Sequence, residues 1–388
     1  MKRRFINSAA LIVVVFFSAL CAGCGSESED QLSLSDAESL SAAEGESSDN
    51  AESASAEVES AQDEIEIIDG NIEEPAYSDI TITVSGDIML GDAVIANYDA
   101  SGISGIIDDT LLSEMSGADI CLVNEEFPFG VGGTAADKTY TFRIDPSYIS
   151  VFNELGVDVV SLANNHTLDY GSDVLLQTFD TLDEAGIAYI GAGESLDRAS
   201  DWYTYEQDGR TVGILAASRV IPVVEWDVRN QQPGVFTTYD PEILIEQIAD
   251  ASAQCDFVVV YVHWGIEKEE YPEDYQRELA KQYIDAGADL VIGSHPHVLQ
   301  GIEYYNGVPI VYSLGNYMFY STIERTALIK AVWDTDGELS LQVIPATVSG
   351  AKTSARSGDS AAELLEYMES ISYNAQIDEN GYVSEIEE

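Results

Sequence analysis

Four histidines are the entire imidazole complement of this 388-residue chain. Each sits in a short polar motif. His166 lies in Leu-Ala-Asn-Asn-His-Thr-Leu-Asp-Tyr-Gly, His263 in Tyr-Val-His-Trp-Gly, and His295 and His297 in Gly-Ser-His-Pro-His. Imidazole is the commonest borderline metal ligand and the usual acid or base near neutral pH. Two carboxylate motifs join them: Gly86-Asp87-Ile88-Met89-Leu90-Gly91-Asp92 and Asn124-Glu125-Glu126-Phe127-Pro128. Singly each is weak. Asp87 is as readily a turn former, and His263 beside Trp264 as readily a packed side chain. Their order, each just after a strand-like run, is what points to a site.

The elements that would position these residues are legible as runs. Ile80–Ser85 alternates and is β-branched, which reads as a strand. Similar runs recur at 120–124, 157–163, 189–192, 211–217, 257–263, 290–294, 310–314, 328–333 and 339–345. Amphipathic helices are predicted at 146–155, 172–185, 241–253, 272–286 and 358–375. Gly156-Val-Asp158 and Gly287-Ala-Asp289 each close a helix and open a strand. Alternating β and α argue an α/β fold with a largely buried sheet. In such sheets the carboxyl ends of strands converge on one crevice. Asp87, the Glu125/Glu126 pair, Asn165 with His166, His263, and His295 with His297 could therefore meet there. Their nitrogen and oxygen donors suit one or two divalent metals, with Mn, Fe and Zn not distinguished.

The formal net charge is −54. So acidic a chain repels phosphate backbones, which disfavours nucleic acid as a partner. An anionic substrate would need a local cation, either a metal or an arginine. Between Gly25 and Ser78 there is no Lys, Arg or His. Residues 25–78 therefore read as a disordered, acidic Ser/Glu/Ala-rich linker. Before it, Lys2, Arg3 and Arg4 precede an apolar run, Ala9 to Leu20, that is short for a membrane span. The run ends at Leu20-Cys21-Ala22-Gly23-Cys24. Residues 1–24 resemble a bacterial lipoprotein signal with Cys24 as the lipidated residue. Cys21 is a weaker acceptor, and an ordinary secretory signal or an uncleaved anchor are alternatives. Each reading exports the rest of the chain, the lipoprotein reading placing it on the extracytoplasmic face of the membrane. Cys121 and Cys255 read as small buried hydrophobes rather than zinc ligands. The acidic tail, 376–388, is expected to be loose.

Several stretches resemble the poly-γ-glutamate capsule-biosynthesis (CapA, PgsA-like) family, a branch of the calcineurin-like metallophosphoesterase superfamily. They are Ala163–Gly171, His263-Trp-Gly-Ile-Glu267, Ala286-Gly-Ala-Asp-Leu-Val-Ile-Gly-Ser-His-Pro-His-Val-Leu-Gln300 and Tyr312-Ser-Leu-Gly-Asn-Tyr-Met-Phe319. The resemblance covers a domain at 79–375. It implies a four-layer α-β-β-α sandwich with a metal site at the strand ends. It implies Asp87, Glu126, Asn165, His263, His295 and His297 as metal ligands, Glu125 being an alternative to Glu126. It implies His166 as the proton donor to a leaving oxygen, and hydrolysis at phosphorus. Lys138 and Arg143 also match, and Arg143 would hold an anionic group of the substrate. One departure stands out: the superfamily's Asp-x-His is here Asp87-Ile88-Met89. A thioether is a poor ligand for such ions. Two functions remain open, a metal-dependent hydrolase or a non-catalytic subunit of a polyglutamate synthesis and export complex. His166 favours the first and Met89 the second.

Overall fold

Aspartate sets the strand register. In a computed structural model, which describes residues 77–386, Asp119, Asp158, Asp256 and Asp289 each stand just before a strand. Each carboxylate accepts a backbone N–H from the neighbouring strand, of Thr81, Cys121, Thr211 and Val258 respectively, all at 2.8 Å. Each aspartate returns its own N–H to the same residue's carbonyl at 2.8–3.0 Å. A one-residue slip would turn every side chain to the opposite face, so these clamps fix which residues reach the strand ends. Asp158 and Asp289 are the aspartates of the two Gly-x-Asp motifs. Replacing Asp289 by Ala leaves the Val258 N–H unpaired and is expected to cost about 1–3 kcal/mol. Asp289→Asn keeps an oxygen acceptor and should cost less. Urea unfolding of the two variants measures the difference, and equal losses would show that the hydrogen bond is not what matters.

The first sheet contains β1 (Ile80–Ile88), β2 (Ile120–Glu125), β3 (Val159–Ser161), β4 (Ala188–Ile190), β13 (Asn316–Met318), β14 (Ile323–Trp333), β15 (Leu339–Ser349), β16 (Lys352–Ala355), β17 (Ala375–Ile377) and β18 (Tyr382–Glu385). Its order is β17-β18-β15-β14-β1-β2-β3-β4, with β13 on β1 and β16 on β15. The second sheet contains β6 (Tyr203–Gln207), β7 (Arg210–Ser218), β9 (Phe257–His263), β10 (Leu290–Ser294), β11 (Leu299–Tyr305) and β12 (Val308–Leu314), ordered β11-β12-β10-β9-β7-β6. A short ribbon pairs β5 (Ala192–Gly193) with β8 (Gly234–Val235).

The sheets face each other, and β9 shows why. All seven of its residues are buried. Phe257, Val259 and Tyr261 enter the core between the sheets. Val258, Val260 and Val262 pack instead with α5 (Leu196–Ser200), α6 (Glu242–Ser252) and α7 (Asp274–Asp285). A strand covered on both faces reads as a continuous apolar run. Helices α1 (Asp92–Ser101), α2 (Asp109–Ser116), α3 (Ile149–Leu155) and α4 (Ser172–Ala185) pack with the first sheet. Four layers, α-β-β-α, result. Gly156 and Gly186 end α3 and α4 in the left-handed conformation, which glycine adopts at least cost. Cys121 and Cys255 are free thiols.

The C-terminal segment differs from expectation. The last helix, α8 (Asp359–Ser370), stops before 375, and the chain turns at Asn374 (φ 40°). The expected loose tail instead forms β17 and β18, which extend the first sheet through Leu341 opposite Val383. Ala375, Ile377 and Val383 are buried while Gln376 and Ser384 stay outside. The alternation is too short, and too diluted by acids, to stand out in the sequence. The leader, Cys24 and the linker up to residue 76 lie outside the described residues.

Candidate metal centre

The strand-end residues arrive from both sheets. Parallel β1, β2 and β3 of the first sheet bring Asp87, Glu126, Asn165 and His166. Parallel β9 and β10 of the second bring His263, His295 and His297. Two donor groups form. Glu126, His263 and His295 offer atoms within 4.8 Å of one another, and so do Asp87, Glu126 and His297. Glu126 belongs to both. Asn165 joins the first group, its Oδ1 lying 2.7 Å from His263 Nε2. Nitrogen and carboxylate oxygen donors of these kinds are those that hold a divalent ion.

The chemistry of the donors fits a divalent cation. Glu126 Oε1 and His295 Nδ1 are buried without any hydrogen-bond partner, and Asp87 Oδ2 has only His297 Nδ1, at 3.3 Å. Orphaned buried acceptors are costly and are what a cation would satisfy. Burial pushes the His263 pKa well below its ordinary value and brings His295 to about 4, leaving neutral imidazoles with free lone pairs. Burial also raises Glu126, and the Asp87 carboxylate adds to it. His297 goes the other way, to about 9. Burial opposes its charge, but Glu126 and Asp87 beside it prevail.

Backbone strain sits here too. His295 and His297 adopt φ of 99° and 57°, in the region that costs a non-glycine residue on the order of 1–3 kcal/mol. The turn between them is held by Lys268 N–H donating to Pro296 O at 2.8 Å.

A network of amides orients the donors. Asn124 Nδ2 donates to Asp87 Oδ1 at 2.8 Å, and Asn164 Nδ2 to Asn124 Oδ1 at 3.1 Å. Asn164 Oδ1 then accepts the backbone N–H of His166 at 2.9 Å. Asn316, on β13, places Oδ1 2.7 Å from His297 Nδ1.

His166 stands beside the donors in the wall of a cavity of about 370 Å³, with Glu126, His297, Asn316, Tyr140, Phe142, Phe319, Tyr320 and Lys268. Its Nδ1 lies 2.8 Å from Asp169 Oδ2 and 3.1 Å from Lys138 Nζ. Lys138 also reaches Asp169 Oδ1 at 2.5 Å and donates to Asn165 O at 2.6 Å. Nε2 is left outside this network. Burial pulls the His166 pKa down, and Asp169 pulls it back up.

Some expected members fall elsewhere. Arg143 is not in the cavity wall. It lines a neighbouring cleft, stacked over Tyr170 at 4.2 Å. Lys268 lines the cavity, and Lys138 sits beside His166, its Nζ 3.1 Å from Nδ1. Asp92, the last residue of the first carboxylate motif, is exposed on the first turn of α1 and belongs to neither donor group. Met89 itself is buried in the hydrophobic core. Glu125 belongs to neither donor group, consistent with the alternation of neighbours along an extended chain. Both its oxygens are buried and unpartnered, and burial holds its pKa well above the usual range. Asp169, Asn124 and Asn164 were not singled out from sequence. Asp169 carried one signal, its place three residues after His166.

The family model for "Bacterial capsule synthesis protein PGA_cap" matches residues 81–321, which span every donor above. The chain belongs to this family. It is 34% identical over 277 residues to the PGA biosynthesis protein CapA of Bacillus subtilis, covering 69% of this chain and 72% of that one. It is 31% identical over 280 residues to the capsule biosynthesis protein CapA of Bacillus anthracis, covering 69% and 67%. A probable polyglutamine synthesis accessory protein of Mycobacterium tuberculosis is 33% identical over 214 residues, covering 52% of this chain and 56% of its own.

Proposed function

We propose that this protein is a metal-dependent, phosphoesterase-type hydrolase of capsule assembly. Its substrate is a phosphoester or another intermediate of poly-γ-glutamate or envelope polymer synthesis. Cys24, lipidated, would hold it to the extracytoplasmic face of the cell membrane, beside the polyglutamate synthase and export subunits. The two donor groups would hold one or two divalent ions. When bound, such ions supply a Lewis acid for phosphoryl oxygens and a nucleophilic water at neutral pH.

The observation that carries catalysis is the Lys138–Asp169–His166 network. Asp169 fixes the imidazole, and Nε2 remains to exchange a proton with a leaving oxygen. A passive metal platform needs no such group. Lys138 neutralises Asp169 and lends positive charge to the cavity of an otherwise acidic protein.

The second reading is an accessory subunit without turnover. Met89 favours it, because the Asp87–Glu126–His297 group has three donors where a fourth would be expected. The Mycobacterium relative, a probable polyglutamine synthesis accessory protein, agrees with it.

Bound metal and hydrolysis of a generic phosphodiester, with and without manganese, separate the two. The hydrolase should bind metal and turn over, and His166→Ala should keep the metal while lowering turnover about 100-fold or more. Metal without turnover, unchanged by His166→Ala, would favour the accessory subunit. A metal-free wild type would reject the metal site on either reading.

A further inference from the structure

The loop that follows His263 is pinned by its backbone. Gly265 N–H donates to Tyr275 Oη at 2.7 Å. Lys268 N–H donates to Pro296 O at 2.8 Å, and Glu269 N–H to Ile266 O at 3.2 Å. Buried Gln300 donates through Nε2 to Glu269 O at 3.0 Å and Tyr271 O at 3.2 Å, and is itself held by Gln276 Nε2 at 3.0 Å. These bonds fix where the side chain of Lys268 starts and leave the side chain itself free.

The backbone of Lys268 is strained. Within the turn from Ile266 to Glu269 it holds φ 69°, a place that glycine takes at least cost. Among the described residues eight non-glycine residues have positive φ. Asp208, Asn306 and Asn374 have short polar side chains that tolerate it through local hydrogen bonds. Lys268 has no such bond, and it stands with His295 and His297 at the metal centre. Strain of this kind gathers at functional sites and persists only where the surroundings enforce it.

Its charge is also unmatched. Lys268 is exposed and lines the metal cavity with Glu126, His166 and His297. Glu267, Glu269 and Glu270 flank it in the sequence, yet among the described residues none forms an ion pair with it, and Glu270 turns to Arg325 at 3.6 Å. Lys138 is by contrast held by Asp169 and Asn165 O. Burial chiefly holds His295 low and the Lys268 charge adds to that, which puts the ammonium near the donors.

We propose that Lys268 is a substrate-binding residue of this cavity, its ammonium donating to a phosphoryl oxygen of the substrate. A lysine ammonium is a point charge with rotatable donors, suited to phosphate. That the anion is a phosphoryl group rests on the hydrolase reading; the free cation at the cavity does not. Glycine at this position would relax the turn and delete the charge together, so stability and binding should move in opposite directions.

Calorimetric titration of the manganese-loaded protein with inorganic phosphate tests this. Lys268→Gln should weaken phosphate about tenfold, the scale of one charged hydrogen bond, and Lys268→Arg should recover most of the loss. Lys268→Gly should weaken phosphate as much as Lys268→Gln while raising the urea midpoint, a combination that a merely structural residue would not give. Bound manganese should be equal in all four proteins. Unchanged phosphate affinity in Lys268→Gln would overturn the proposal, and so would a loss that only follows lost manganese. A Lys268→Gly protein that binds phosphate normally and unfolds at lower urea would make the side chain structural and overturn it too. A wild type that takes up no manganese is titrated as it stands, with the same expectations, and one that binds no phosphate overturns the proposal. Phosphate bound through Lys268 without turnover of a phosphodiester would reject the hydrolase reading and leave Lys268 as an anion-binding residue.

Discussion

Glu126→Gln is expected to lose metal, and Glu125→Gln, one residue away, is expected to keep it. Glu126 is the one side chain common to both donor groups. Its replacement removes a charged donor from each at once. Loss of a partner that merely orients a ligand costs about 10–100-fold in affinity, so loss of the shared carboxylate should cost roughly 100-fold or more. Glu125 has the same chemistry but faces the other side of the chain. Its carboxyl is fully buried with no partner, and burial keeps it in the neutral form. An amide of the same shape changes little there, and stability should stay within about 1 kcal/mol of wild type. Metal content after dialysis, followed by titration with manganese and zinc, reads both variants. Equal loss in the two would mean that the carboxylates are not divided between opposite faces, and the shared role of Glu126 would fall with that division.

That pair also marks how far the sequence could be read. The strands were legible because β2, β9 and β10 are buried on both faces and appear as apolar runs, and β1 as a β-branched alternation. The donors were legible because parallel strands bring their carboxyl ends to one edge, so the residues after each run had to be neighbours. Choosing within a motif was harder. Alternation alone leaves Glu125 and Glu126 equivalent until the register of β2 on β1 is fixed, and Asp119 fixes it through a contact 38 residues distant. Choosing between the two cations was hard for a related reason. Lys138 and Arg143 lie on an irregular segment between β2 and α3, where no period says which side chain turns inward. Asn316 reaches His297 because β13 pairs with β1, which begins more than 200 residues earlier. The hairpin of β17 and β18 was hidden by its acidic surface residues. Each shortfall concerns a contact set by tertiary structure, not a missed pattern.

Gly86→Ala is expected to give the largest loss of stability, and to disturb the metal centre with it. A Cβ at Gly86 would lie 1.9 Å from Gly315 O, with Leu314 and Gly315 carbonyl carbons at 3.0 Å. These are backbone atoms on both sides, so no side chain can swing away. Asp87 N–H donates to that same Gly315 O at 2.9 Å, and Gly315 holds φ 61° to make the turn into β13. Relief therefore requires β1 and β13 to part, which breaks the pairing of Asp87 with Asn316. The cost should be about 4 kcal/mol or more, in the range reserved for severe overpacking. Gly186→Ala is the control. Gly186, unlike Gly86, has positive φ, 73°, but nothing lies within 4 Å of its Cβ position, so only the left-handed penalty of about 1–2 kcal/mol applies. The two substitutions add the same methyl group, at Gly186 into open space on a left-handed backbone and at Gly86 against backbone atoms. Because Asn316 Oδ1 is 2.7 Å from His297 Nδ1, parting the strands should weaken the Asp87–Glu126–His297 group before the Glu126–His263–His295 group. Chemical unfolding and metal stoichiometry together read this, the expected result being a destabilised protein that keeps one ion more tightly than the other. A Gly86→Ala protein as stable as Gly186→Ala would show that β1 does not approach the Gly315 turn this closely, and the placement of Asn316 at the metal centre would lose its support.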